Sequence, residues 1–149
     1  MTALGAHHVI DHTQPLAPQL AAIGIPEVDI VLSLTGTAGH AAILPDILAP
    51  EGRLGIIDDP RVFDIVPFKR KAIGVHWESM FTRPIFGPPS LVEQHRLLTE
   101  IAALVDAGRI RSTLTKTLGP ISAATLREAH GLVESGRTIG KIVVAGWPD

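Results

Sequence analysis

The stretch that most restricts how this chain can fold is Val28 to His40, VDIVLSLTGTAGH. Val28 to Ser33 is a nearly continuous apolar run, the kind of strand that a parallel sheet buries on both faces. It enters a turn containing Gly36 and Gly39 and then a helical pattern. A strand ending in a glycine turn and a helix is how an α/β sheet hands a nucleotide to a loop. A phosphate cradle, however, needs G-x-G-x-x-G or a close relative, whose glycines make the turn, admit the pyrophosphate and let the helix pack closely. Here the spacing is G-x-x-G, and no conventional fingerprint occurs elsewhere in the sequence. The stretch therefore reads as an ordinary strand-to-helix turn, on a later strand of its sheet.

Around it, apolar runs alternate with helical patterns, which favours an α/β sandwich over a helical bundle. His7 to Asp11 is a strand candidate, and Pro15 to Ile23 suits a helix with Pro15 in its first turn. Ala38 to Leu48 reads as a helix kinked at Pro45. Gly52 to Asp58 and Lys71 to Ser79 are the next strands, and Arg83 to Ser90, rich in proline, reads as a loop. Ser90 and Glu93 have capping-box spacing before a helix whose Leu97, Leu98, Ile101, Leu104 and Val105 share one face, with Gly108 as its stop. A strand at Ser112 to Thr117, a helix from Ser122 to Ser135 ended by Gly136, and a strand at Lys141 to Ala145 follow.

Composition removes several function classes. With 149 residues, 46% hydrophobic, 19% charged and a net charge of -2, this is one globular domain's worth of chain with no polybasic patch for nucleic acid. No apolar run approaches the roughly 20 residues that span a bilayer. The start, MTALGAHHVIDH, has no signal-peptide pattern, and the cytoplasm is the expected compartment. Without cysteine there is no disulfide, no thiolate zinc site and no cysteine nucleophile. His8 and His12 project to one face of the candidate strand, with His7 and Asp11 on the other, so these four do not converge on a metal. Lys69, Arg70 and Lys71 form a short basic run of the sort that is usually a solvated face.

The segments LGAHHVIDH, VDIVLSLTGT, LAPEGRLGIID, FKRKAIGVHWESMFTRP and LREAHGLVESGRTIGKIVV resemble the C-terminal part of medium-chain dehydrogenase/reductases. The likeness is to the zinc-type alcohol dehydrogenase-like branch, related to NADPH:quinone oxidoreductases, and it runs over nearly the entire chain. It implies an α/β fold: a truncated Rossmann-like, mostly parallel sheet with flanking helices, in one partial NAD(P)-binding domain over 1–149. By that alignment HHVID is the third strand, Val28 to Ser33 the fourth and Leu54 to Ile57 the fifth. The GroES-like substrate domain and the glycine-rich first βαβ unit are then missing from the sequence.

The resemblance further implies hydride transfer from NADP or NAD to a quinone, enone or carbonyl, with no zinc and no catalytic triad. It places Leu34, Thr35 and Gly36 beside the nicotinamide and ribose, although for the isolated chain a plain turn is the preferred reading. Ile57 and Asp58 end the fifth strand; Asp58 could accept from a ribose or nicotinamide amide, or make an Asx turn with Asp59 and Pro60. Met80 and Phe81 could close over the nicotinamide or pack beneath the 83–90 loop. Lys141 could offer a point charge to phosphate, or be a solvated strand-start lysine. Without the cradle, cofactor affinity of these residues alone is expected to be weak or undetectable. The alternative function is a non-catalytic remnant or subunit working by association, as a homodimer through the strand around Ala72 to Ser79. Finally, a Rossmann sheet runs 3-2-1-4-5-6, so Val28 to Ser33 is left with an empty neighbour position. HHVID is expected to move in beside it; an upstream polypeptide supplying the missing strands is the other repair.

Overall fold

The computed structural model describes residues 1–147. The chain divides into two compact units, Met1–Leu91 and Val92–Asp149. Both are α/β with parallel strands and flanking helices.

The first unit is built on three parallel strands in the order β1 (Val28–Ser33), β2 (Leu48–Ile56) and β3 (Gly74–Trp77). Ile30 to Ser33 pair with Arg53 to Ile56, which pair in turn with Gly74 to Trp77. Parallel neighbours need a crossover. The one between β1 and β2 holds two short helices, α2 (Thr37–His40) and α3 (Leu44–Ile47). A single kinked helix was expected there. Pro45 has no N–H to donate one turn back, so the helix stops after His40 and restarts with Pro45 in its first turn. Strand β2 then begins at Leu48, earlier than expected, and is interrupted where Val28 pairs with Leu48 but Ile30 already pairs with Arg53.

Helix α1 (Leu16–Ala22) covers one face of this sheet. Leu54 and Ile56 point into that face and are fully buried, with Leu44, Ile47, Leu48, Phe68 and Ile73 around them. Phe63 bridges Phe68 and Trp77, with ring centroids 5.5 and 6.3 Å apart. The other face is different. Ile30 and Leu32 are 62% and 67% exposed, so β1 is not the doubly buried strand its apolar run suggested. Gly55 lies under Leu32: a Cβ there would come within 2.9 Å of the Leu32 Cδ2.

His7 to Asp11 is not a strand, and β1 has no ladder except with β2 among the described residues. The expected repair of the sheet edge therefore does not occur. Its backbone polar groups go elsewhere: Gln19 of α1 accepts from the Asp11 N–H at 2.8 Å and donates to the Asp11 carbonyl at 2.9 Å. The Asp11 carboxylate accepts from the Thr13 amide and hydroxyl, bonds that hold its pKa below the usual value.

After β3, the segment expected as a loop contains α4 (Thr82–Phe86) and a 3-10 turn over Pro89–Leu91. That turn leads into α5 (Val92–Asp106), and Glu93 pairs with Arg96 at 2.6 Å instead of closing a box with Ser90. Gly108, at φ 67°, ends α5 as expected. The second unit continues with β4 (Leu114–Leu118), α6 (Ala123–Glu134) and β5 (Lys141–Val144), a parallel pair joined through a helix. Ser122 caps α6 and exchanges bonds with Thr125 at the third helical position.

Candidate functional site

In a parallel α/β sheet, ligands gather beyond the carboxyl ends of the strands. Here that edge is held together by backbone bonds past the ladders: Ile57 N–H to the Ser33 carbonyl at 3.2 Å, and Glu78 N–H to the Ile56 carbonyl at 2.9 Å. Residues 34–36, 57–58 and 78–81 therefore leave the sheet as three adjacent segments. Leu34, Ile57, Met80 and Phe81 are all at least half exposed, so Met80 and Phe81 are not packed away beneath the 83–90 segment.

The turn after β1 is fixed by an interaction the sequence did not announce. Gly36 is left-handed, at φ 67° and ψ 24°, and occupies the cap position of α2 without a side chain to cap it. The cap comes from Asp58, 21 residues beyond Thr37. One carboxylate oxygen accepts the Thr37 N–H at 2.9 Å, and the other accepts the Thr37 hydroxyl. The Ser33 Oγ lies 2.6 Å from the same Thr37 Oγ1. Thr37 is fully buried. The Thr37 hydroxyl, then the Thr37 amide, hold the Asp58 carboxyl below its usual pKa, outweighing partial burial. Asp58 thus does not make the Asx turn with Asp59 and Pro60. It also answers the question raised by the G-x-x-G spacing, because the first amide of α2 is already occupied by the protein's own carboxylate. A phosphate at this turn would meet a negative charge.

Lys141 lies in the second unit, at the start of β5, with its amide bonded to the Thr113 carbonyl at 2.7 Å and its side chain exposed. The basic run is not one solvated face. Lys69 and Arg70 are exposed, but the Lys71 Nζ reaches Glu27, the Asp46 carbonyl and the Leu48 carbonyl at 2.7, 2.9 and 2.7 Å. His7, His8 and His12 are exposed; His12 lines a cavity of about 380 Å³ with His40, between the start of α1 and the α2–α3 segment. Among the described residues no three His, Asp or Glu side chains are placed to hold a metal, and the sequence has no cysteine.

A parallel sheet crossed by helices, with a fixed turn at its carboxyl edge, defines a Rossmann-like α/β protein. The particular family follows from comparison: the chain belongs to the zinc-binding dehydrogenases, whose family model matches residues 4–144. A zinc-type alcohol dehydrogenase-like protein of Staphylococcus aureus (strain MSSA476) is 30% identical over 142 residues, which are 95% of this chain and 42% of that protein. A crystal structure from Rhizobium etli CFN 42, of a protein assigned to the zinc-dependent alcohol dehydrogenases, is 54% identical. It superposes with a TM-score of 0.90 over 99% of this chain and 43% of that one. A Bacillus thuringiensis protein assigned as an NADPH:quinone reductase shares the fold at 19% identity, with a TM-score of 0.70 over 98% of this chain and 44% of its own. The chain therefore spans less than half the length of the proteins it matches. Despite the family's name, the residues described here do not fit a zinc site.

Proposed function

We propose that the chain is the cofactor-domain portion of an NAD(P)H-dependent oxidoreductase that reduces quinones, enones or related carbonyls. The observation that carries this reading is the preset carboxyl edge of β1, β2 and β3 in a chain of dehydrogenase family. The nicotinamide end of the cofactor fits that edge, and when bound it supplies the hydride. Leu34, Ile57, Met80 and Phe81 offer apolar surface that excludes water from one side of the ring. Thr35 and Gly36 present backbone from a turn that Asp58 keeps in shape. For Lys141, in the second unit, it is the resemblance that supports a positive charge offered to a phosphate. The pyrophosphate does not fit the Gly36 turn, where Asp58 already takes the amide, so its cradle has to come from an upstream polypeptide.

On this reading the 149 residues alone do not turn over. Calorimetric titration with NADPH and with NADH is expected to show no binding at micromolar concentrations, and micromolar affinity for either would mean that another loop serves as the cradle. A second reading, association without catalysis, is favoured by one observation: β3 lies at the edge of its sheet. We propose a homodimer in which Ala72 to Ser79 pairs with its two-fold mate. No helix among the described residues is long and apolar enough to cross a membrane, and cytoplasmic residence is part of the proposal.

A further inference from the structure

We propose that Asp58 is a positioning residue: from the end of β2 it locks the Leu34–Thr35–Gly36 turn and sets which way the Ser33 and Thr37 hydroxyls direct their protons. The inference rests on the oxidoreductase reading only for what the turn meets; the lock itself stands on the geometry.

The proton order follows from the donor inventory. An ionised carboxylate only accepts. The Thr37 hydroxyl must therefore donate to Asp58, and since it has one proton, the Ser33 hydroxyl at 2.6 Å must donate to Thr37. Ser33 is left with lone pairs alone, so anything that reaches its oxygen has to bring a donor, such as an amide N–H or a hydroxyl. Thr37 is fully buried, so none of these bonds is readily exchanged for water. The turn has no other side-chain cap at this point: Gly36 cannot provide one, and a Cβ at Gly36 would touch nothing within 4 Å. Beside the backbone bond from the Gly39 N–H to the Gly36 carbonyl, Asp58 is the side chain that holds the turn.

The groups acting on Asp58 are neutral donors: the Thr37 hydroxyl and amide, and the amides of Asp58 itself and Gly36. Among the described ion pairs none includes Asp58, and the adjacent charge is Asp59. Replacing Asp58 with Asn would invert the order. The Asn oxygen would be needed by the Thr37 amide, so its NH2 would face the Thr37 oxygen, and Thr37 would turn its proton onto Ser33.

The test is amide NMR of the 149-residue chain from neutral pH into the acid range, with no cofactor present. The Gly36 and Thr37 amide signals should move together, with one midpoint below the ordinary aspartate value of about 3.9. Thr37→Ser should keep that titration. Thr37→Val should raise its midpoint, and Asp58→Asn should abolish it while the other signals stay dispersed. If Asp58→Asn fails to fold, the wild-type, Thr37→Ser and Thr37→Val titrations decide. Gly36 and Thr37 signals that do not follow Asp58, or a midpoint unmoved in Thr37→Val, would overturn the proposal. Either result leaves the oxidoreductase reading to the calorimetry.

Discussion

Replacing Lys71 with Met should unsettle the first unit far more than the same change at its neighbours in the basic run. The Lys71 Nζ makes three bonds, and they differ in worth. The pair with Glu27 involves side chains 21% and 44% exposed, and such a pair contributes about 0–1 kcal/mol. Asp46 is itself an exposed residue. The Leu48 carbonyl belongs to a fully buried residue, and stripping a buried acceptor of its charged donor costs about 1–3 kcal/mol. Together these put Lys71→Met at about 1–4 kcal/mol, a large part of the ~5–15 kcal/mol that holds a domain together. Lys69→Met and Arg70→Met, on exposed side chains, should stay within about 0.5 kcal/mol, and Glu27→Gln below about 1 kcal/mol. Urea unfolding followed by tryptophan fluorescence would measure this in a Trp147→Phe background, where Trp77 alone reports. Equal midpoints for Lys71→Met and Lys69→Met would refute the reasoning. A Glu27→Gln loss as large as that of Lys71→Met would show that the ion pair, not the carbonyl, matters.

Gly36→Ala should cost about 1–2 kcal/mol, because its φ is 67° while its surroundings leave room for a methyl; a stability change near zero in the same urea experiment would mean that the turn is not left-handed in solution. Asp58 has a lowered pKa in the fold, so the stability it contributes is complete above the ordinary aspartate value and is lost as pH falls through the folded one. In Thr37→Val that acid-side loss should shrink, as read from urea midpoints across the acid range, and an unchanged acid limb would contradict the assignment. Size exclusion with light scattering should give a dimer at high micromolar concentration, and a clean monomer would remove the proposed β3 pairing.

The elements that were legible in the sequence are those with purely local causes. Val28 to Ser33 is branched and apolar, Gly108 is free to turn left-handed after α5, and Ser122 can cap α6 from its own position. What failed depends on partners distant in the chain. His7 to Asp11 has strand-like alternation, but a strand exists only where a neighbour accepts its bonds, and Gln19 takes those of Asp11 instead. The apolar residues of β1 announce burial on two faces, while the helices of its own unit cover one. Lys71 looks like its exposed neighbours until the carbonyls of Asp46 and Leu48 are brought under it. At the site, resemblance picked out Asp58 and Gly36. It did not single out Ser33 and Thr37, whose bonds to each other and to Asp58 depend on β1 and β2 ending side by side. The remaining clue was a threonine directly after the turn glycine, in a chain whose next strand ends in aspartate.

The three-stranded sheet has an outer edge on β1 and another on β3, with no further strand on either among the described residues. In the language of polymer chemistry, such a subunit is a monomer of functionality two. If β3 meets β3 across a two-fold axis, the reaction terminates one end and leaves two β1 ends outward. If β3 meets β1, each addition regenerates a reactive end, and growth has no stoichiometric stop. Exposed hydrophobic residues lie along both edge strands, Ile30 and Leu32 on β1 and Trp77 on β3. A polypeptide that covered β1 would act as a chain terminator, and its ratio to this chain would set the assembly's size.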